Sequence, residues 1–112
     1  MSQREALKVV RQYVRLLNES GFAIYKAFLY GSYATNQASA DSDIDVLLVL
    51  KTFDDSGLEM KTKAWELTRQ VDTRIEPYTM GMKKFLSDDI SPLLLIVKKE
   101  GIEISSDEHS LL

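Results

Sequence analysis

The chain has 112 residues, of which 45% are hydrophobic and 28% are charged, and its formal net charge is −3. This length suits one domain that buries about two-thirds of its unfolded surface, and the composition is that of an ordinary globular protein. There is no cysteine and only one histidine, His109, which excludes disulfides, thiolate metal sites and imidazole clusters. Any metal must therefore be held by oxygen ligands, which suit magnesium or manganese.

The acidic balance and the hydropathy of the chain limit its partners. Nucleic-acid binding normally shows a basic face, so the charge argues against it but leaves a small nucleotide open. No run approaches the length of a membrane span, and the charged N-terminal segment lacks the hydrophobic core of a signal peptide. We therefore expect a cytoplasmic protein without membrane contact.

The first elements are a helix and a strand. Residues 2–20 predict a helix, because Ser2 and Glu5 can form a capping box and apolar side chains recur at helical spacing. Residues 22–30 form a nearly continuous apolar run, which is typical of a strand covered on both faces. The polar segment 33–42 follows, and its first residues predict a short helix.

Residues 43–50 predict a second strand that carries two carboxylates at its start. Side chains alternate along a strand, so Asp43 and Asp45 share one face. Such a pair is costly unless a cation or a proton neutralises it, and a divalent metal is the expected neutraliser. Before them, Gly31 lets the backbone approach a ligand closely, and N–H groups and the Ser32 hydroxyl can hold phosphate oxygens.

Gly31-Ser32, ten further residues and Asp43-Ile44-Asp45 resemble the G-S-x10-D-x-D motif of the nucleotidyltransferase superfamily that includes DNA polymerase beta. Within that superfamily, the chain resembles in particular the minimal, single-domain bacterial and archaeal members. The resemblance implies an α/β (α+β) fold, with a small mixed sheet of about four strands flanked by helices. Family members often carry Arg-Gly where this chain has Thr35-Asn36. This chain therefore lacks a positive charge near the position where the family binds the triphosphate of its nucleotide.

The next segments predict a turn over residues 51–55 and a helix over 56–69, with Ser56 and Glu59 as a second capping box. Trp65 lies in the helical pattern and is interpreted as a core residue rather than a base-stacking platform.

Residues 71–78 predict a third strand, on which Asp72, Arg74 and Glu76 share one face. The family uses a third carboxylate from a neighbouring strand, and the resemblance favours Glu76, with Asp72 as the alternative. The structural interpretation of Glu76 is an ion pair with Arg74 or a lysine. Pro77 cannot donate to a sheet ladder, so the strand either ends there or lies at an edge.

The last segments predict two helices and a strand. Residues 79–86 predict a short helix, and Ser91-Pro92 begins another whose body, residues 93–97, is expected to be buried and which ends at Gly101. Residues 102–105 alternate as a closing strand. The sequence thus predicts one domain over 1–105 and a flexible tail over 106–112.

The resemblance also implies a reaction and its site. A nucleoside monophosphate, AMP from ATP, would pass to an acceptor hydroxyl with pyrophosphate leaving. Asp43, Asp45 and Glu76 would hold two Mg²⁺ ions, or Mn²⁺ in their place, while Gly31 and Ser32 hold the triphosphate. Minimal members are often paired with a small helical HEPN-type protein in toxin–antitoxin modules, so that partner is the expected acceptor.

Two alternatives stay open. The first is a binding module of the same fold that neutralises a partner by contact with little or no transferase activity, which the residue Thr35 supports. The second is a transferase that acts on a small molecule or on RNA. The base preference and the oligomeric state, including a homo-oligomer, are not fixed by the sequence.

Overall fold

The computed structural model describes residues 1–51, 57–87 and 91–104. The described elements are α1 (Gln3–Glu19), β1 (Ile24–Tyr30), β2 (Ile44–Leu50), α2 (Leu58–Thr68), β3 (Ile75–Gly81), α3 (Met82–Leu86), α4 (Pro92–Glu100) and β4 (Ile102–Glu103). The strands form one mixed sheet in the order β3-β2-β1-β4, in which β2 and β3 are parallel and the other two pairs are antiparallel. The predicted four-stranded fold flanked by helices is confirmed.

Helix α1 begins as the sequence predicts. The Ser2 side chain accepts from the Glu5 N–H, and the Glu5 carboxylate accepts from the Ser2 N–H, so two N–H groups that the helix leaves unpaired are satisfied. The helix buries one apolar stripe against the sheet, made of Ala6, Val10, Tyr13, Val14 and Leu17.

Helices cover both faces of the sheet. On one face, α1 and α2 pack on the side chains of alternate β2 residues such as Val46 and Leu48. On the other face, Leu47 and Val49 pack against Leu94 and Val97 of α4, with α3 side chains at the margin. Strand β2 is therefore buried on both sides, which explains why it is a nearly continuous apolar run.

Strand β3 begins later and runs further than predicted. It includes Pro77, which is tolerated because β3 is an outer strand of the described sheet. The Ile44 N–H donates to Arg74 O at 2.9 Å. This bond fixes the register, so that the backbone N–H and C=O groups of Glu76 face β2. By alternation the Pro77 nitrogen points to the outer edge, where no ladder bond is lost. The predicted edge position is confirmed.

Three predictions about helices differ from the structure. Residues 32–36 form consecutive turns rather than a helix, because Asn36 takes a left-handed backbone that ends the segment after one turn. Residues 79–81 belong to β3, so the following helix begins at Met82. Helix α2 has Gly57 as its N-cap without a side-chain bond, and the predicted cap Ser56 lies outside the described residues.

Two predicted burials are also wrong. Trp65 is 48% exposed, because α2 turns the stripe of Met60, Ala64, Leu67 and Thr68 toward the core and leaves Trp65 beside it. In α4 only Leu94 and Val97 are buried, while Leu95 and Ile96 are exposed on the far side of the helix. Its N-cap Ser91 and its end at Gly101 agree with the prediction.

The closing strand β4 is shorter than predicted, and the tail over 106–112, with His109, lies outside the described residues. Most of the predicted turn over 51–55 also lies outside them. Within the described ranges, no helix combines the length and the apolar character needed to cross a membrane.

Candidate active site

Three strands meet where the predicted carboxylates lie. Asp45 is the register partner of Tyr30 on β1 and of Glu76 on β3, so these three side chains leave the sheet on one face. Asp43 precedes β2 by one residue, and it lies close enough to Glu76 to raise the pKa of the Glu76 carboxyl. The fold thus brings Asp43, Asp45 and Glu76 together from two parallel strands.

The carboxylates perturb one another's protonation. The hydrogen bond with Asp43, burial and the charges of Asp43 and Asp45 raise the pKa of Glu76. Burial, and then the charge of Asp43, raises the pKa of Asp45. Each of these two carboxyl groups therefore holds its proton to a higher pH than an isolated carboxyl group would.

Gly31 lies directly against this cluster. Its φ of +79° is a conformation that other residues rarely adopt, and a Cβ at this position would overlap the Asp45 carboxylate. Only a glycine lets the chain turn here while the Asp45 side chain keeps its place. The sequence requires glycine before the polar loop because the Asp45 carboxylate, on the strand after the loop, occupies the space of a side chain at position 31.

The loop after Gly31 is held by its own backbone. The N–H groups of Ala34 and Thr35 donate to Gly31 O at 3.1 and 3.3 Å, and the Gln37 N–H donates to Ser32 O at 2.8 Å. Asn36, at φ 60°, stands where the family often has glycine, and asparagine is among the residues that tolerate this backbone. In the described part of the chain, the N–H of Ser32 is not used by any of these bonds.

Thr35 occupies the position where the family often has arginine, and its side chain does not reach outward. The Thr35 hydroxyl lies 3.4 Å from Gly31 O and 3.3 Å from Ser32 O, so it donates within the loop. The loop gains an internal hydrogen bond in place of a cation.

The alternative third carboxylate, Asp72, is engaged elsewhere. Arg74 donates from Nη2 to Asp72 Oδ2 at 2.7 Å and from Nε to Asp72 Oδ1 at 3.0 Å. These bonds lower the pKa of Asp72. Both residues lie in the turn before β3, so they do not share the strand face of Glu76 as predicted. The structure therefore leaves Glu76, not Asp72, beside Asp43 and Asp45, and Arg74 is paired away from Glu76.

The donor chemistry of the cluster fits a hard divalent cation. The cluster offers carboxylate oxygens, and none of its three residues forms an ion pair with a lysine or arginine within the described ranges. No three acidic, histidine or cysteine side chains in those ranges are already arranged as a metal-binding group. Asp43 and Glu76 are exposed, so their carboxylates can turn toward a cation at little cost.

Sequence reasoning missed two tyrosines on the strands that flank β2. Burial and the charges of Asp45, Glu76 and Tyr78 raise the pKa of Tyr30 to about 12, which keeps its hydroxyl protonated. Tyr78, two residues after Glu76, lines an open cleft of about 290 Å³ with Lys61, Trp65, Pro77 and Thr79. Tyr30 is placed beside Asp45 by the pairing of β1 with β2. No local pattern in the sequence predicts that pairing.

The model of the nucleotidyltransferase domain family matches residues 7–109. The chain belongs to the nucleotidyltransferase domain family. The resemblance drawn from Gly31-Ser32 and Asp43-Ile44-Asp45 is thereby confirmed, and the match includes both strands that carry the carboxylates of this nucleotidyltransferase domain. A search of curated protein sequences finds no match.

Solved structures share the fold of this nucleotidyltransferase domain. A Sulfolobus solfataricus protein assigned as a nucleotidyltransferase is 17% identical, with a TM-score of 0.64 over 90% of this chain and 80% of that one. A toxin–antitoxin structure with AMP-PNP is 18% identical, with a TM-score of 0.61 over 90% and 78%. The toxin–antitoxin MntA-HpeT in a mutant form is 18% identical, with a TM-score of 0.60 over 89% and 76%. At these identities the likeness establishes the fold.

Proposed function

We propose that the chain transfers a nucleoside monophosphate, AMP from ATP, to a hydroxyl group of a partner macromolecule. The observation that carries this proposal is the meeting of Gly31, Asp45 and Glu76: a glycine turn, a half-buried carboxylate and a carboxylate of the parallel strand are in contact or in register. A phosphate-binding turn beside clustered carboxylates is the arrangement that nucleotidyl transfer needs.

In this proposal the Gly31-Ser32 turn holds the triphosphate. The Ser32 N–H and hydroxyl are hydrogen-bond donors to phosphate oxygens, and the glycine lets the nucleotide approach the backbone. The turn is fixed by its own hydrogen bonds, so little ordering is needed when the nucleotide binds.

Asp43, Asp45 and Glu76 are the residues that would hold magnesium. Bound there, magnesium would activate the acceptor oxygen and stabilise charge on the leaving pyrophosphate. We expect Mg²⁺ or Mn²⁺ to raise the melting temperature of the protein, because it relieves the repulsion among the three carboxylates. The Asp43→Asn/Asp45→Asn variant should show no such rise, and a wild-type protein that is indifferent to both metals would contradict this assignment.

The transfer itself requires one bond to form and one to break. The acceptor oxygen bonds to the α-phosphorus, the bond from that phosphorus to the oxygen bridging to the β-phosphorus breaks, and pyrophosphate leaves. The acceptor hydroxyl must lose a proton. Glu76 is suited to take it, because its exposed carboxylate lies at the mouth of the site.

We propose a HEPN-type toxin as the macromolecular partner. The solved structures that share the fold include toxin–antitoxin structures, and one of these contains AMP-PNP, an analogue of ATP. This support also favours ATP as the donor. The net charge of −3 makes RNA a less suitable acceptor than a protein.

The proposal is tested by incubating the protein with lysate of its host, magnesium and ATP labelled on the α-phosphate. Label should appear on one macromolecule, whose size identifies the acceptor. The Asp43→Asn/Asp45→Asn variant should transfer none, whereas Asp41→Asn, which changes an exposed carboxylate nearby, should transfer as the wild type does. Label transfer that survives the double substitution would overturn the roles of these residues.

A second candidate is a module that neutralises its partner by binding alone. Thr35 favours it, because a hydroxyl turned into the loop supplies no positive charge to a triphosphate. Here the Asp43→Asn/Asp45→Asn variant would still bind the partner and suppress its activity. Absence of label in a lysate known to contain the partner, together with retained suppression, would decide for this candidate.

A further inference from the structure

The N-terminus of α1 is tied to the Gly31-Ser32 loop by one side chain. Gln3 Nε2 lies 3.0 Å from Tyr33 O and 3.0 Å from Ala34 O, so one amide group donates to two consecutive carbonyls. These partners are 30 and 31 residues away in the sequence. The contact is therefore tertiary and does not belong to the capping of α1, which Ser2 and Glu5 already provide.

Side chains and backbone together occupy the four consecutive carbonyls from Gly31 to Ala34. Gln3 holds Tyr33 O and Ala34 O, while the Thr35 hydroxyl and loop N–H groups hold Gly31 O and Ser32 O. With its carbonyls engaged on the protein side, the turn keeps the Ser32 N–H available to a ligand. The same bonds keep four carbonyl dipoles from turning toward that ligand, where they would repel a phosphate.

We propose that Gln3 is a positioning residue for the nucleotide, which fixes the carbonyls of Tyr33 and Ala34 so that the turn presents donors to the triphosphate. This inference rests on the proposed function. Gln3 does not touch the reacting atoms in this role, and it acts through the loop. Loss of its amide should therefore weaken nucleotide binding while leaving the carboxylate cluster in place.

The test measures binding of ATP with magnesium by calorimetry in four variants. Gln3→Met removes the amide at similar length, and Gln3→Glu replaces the donor with a carboxylate that repels the two carbonyls. Gln70→Met and Gln70→Glu are the matched controls, because Gln70 is exposed beyond the end of α2. We expect Gln3→Met to raise the Kd about tenfold, the equivalent of one or two lost hydrogen bonds, and Gln3→Glu to raise it further.

Amide hydrogen exchange provides a readout that needs no nucleotide. In Gln3→Met, the loop amides of Ala34, Thr35 and Gln37 should exchange faster than in the wild type, whereas the amides of α1 should not. In the transfer reaction, KM for ATP should rise and kcat should change by less than about twofold. The reason is that Gln3 would support binding of ATP equally in the ground state and the transition state. A purely structural role would instead lower the melting temperature and leave the Kd unchanged.

The outcomes separate this inference from the proposed function. If the wild type binds ATP and Gln3→Met binds it equally well, the role of Gln3 is wrong while nucleotide transfer stands. If the wild type binds no ATP with or without magnesium, the proposed function fails and the role of Gln3 fails with it. If Gln70→Glu weakens binding as much as Gln3→Glu does, added charge is the cause and the positioning role is overturned.

Discussion

At the scale of single residues, two glycines with positive φ differ in what surrounds them. Gly31 at φ +79° faces the Asp45 carboxylate, whereas a Cβ added to Gly21, at φ +97°, would meet no described atom within 4 Å beyond its chain neighbours. A side chain would be strained in either backbone conformation, but only at Gly31 would it also displace a carboxylate. Comparing alanine substitutions at the two glycines therefore distinguishes the cost of backbone strain from the cost of displacing Asp45.

We expect Gly21→Ala to cost about 1–2 kcal/mol of unfolding free energy, the usual cost of a left-handed backbone for alanine. Gly31→Ala should cost clearly more, because Asp45 must move as well. Urea denaturation of both variants measures the difference. Equal costs would show that the contact between Gly31 and Asp45 is not tight.

Two buried tyrosines make a second matched pair. The Tyr13 hydroxyl donates to Ala64 O at 2.6 Å and so joins α1 to α2. The Tyr33 hydroxyl is buried and has no hydrogen-bond partner among the described residues. Burying a hydroxyl without a partner costs free energy, and removing it leaves no acceptor unsatisfied.

Tyr33→Phe should therefore leave the melting temperature unchanged or raise it, while Tyr13→Phe should cost about 1 kcal/mol or more. Thermal unfolding of the two variants, followed by circular dichroism, measures both effects. A large loss of stability in Tyr33→Phe would mean that its hydroxyl has a partner that the described residues do not include.

At the scale of elements, α2 shows where sequence patterns stop being informative. Its apolar residues fall on two stripes, and only the one through Ala64 and Thr68 reaches the core. Leu58 and Trp65, seven residues apart, lie on the other and are 80% and 48% exposed. Helical periodicity alone could not choose between the stripes, because the choice depends on how α2 docks on β3.

Trp65→Ala should therefore cost less than about 1 kcal/mol, as surface substitutions generally do. Leu48→Ala, which empties a fully buried site in β2, should cost about 2–5 kcal/mol. Chemical denaturation of both variants gives the comparison. A Trp65→Ala cost near that of Leu48→Ala would mean that the indole is packed more closely than its exposure indicates.

The elements that the sequence predicted well are those fixed locally. Ser2 and Glu5 specify the start of α1, and the spacing of Gly31 from Asp43 and Asp45 carried both the fold and the family. The start of β3 was wrong because Asp72 and Arg74 pair with each other in a turn, which satisfies them without a strand. The contacts of Gln3 and Tyr30 with the site depend on tertiary register, which no local pattern contains.

At the scale of the whole molecule, the carboxylate cluster makes stability depend on pH. The folded state raises the pKa of Asp45 and of Glu76 above their ordinary values of 3.8 and 4.5, so between those values and the raised ones it binds more protons than the unfolded chain. Stability therefore falls as pH rises through this interval. The lowered pKa of Asp72 acts oppositely, but its stabilisation is lost only below about 3.8.

Without metal, the unfolding free energy should thus increase as pH is lowered from neutral through the raised pKa values of Asp45 and Glu76. Asp45→Asn should raise stability at neutral pH and weaken this dependence, because it removes the half-buried charge that Asp43 and Glu76 oppose. Urea titrations at several pH values in the presence of a chelator measure it. An Asp45→Asn variant with the wild-type pH profile would show that the cluster carries no appreciable repulsion.

The parallel pairing of β2 with β3 also bears on how the protein folds. The antiparallel β1–β2 hairpin places Gly31 against Asp45 by closing a short loop, whereas Glu76 reaches Asp45 only after α2 has carried the chain across to the outer strand. Pairings between residues distant in sequence form slowly, because the entropy of closing the loop is lost before contacts repay it. The glycine turn and the first two carboxylates should therefore be native-like before the third arrives, so the candidate active site is completed by a slower pairing than the one that forms its turn.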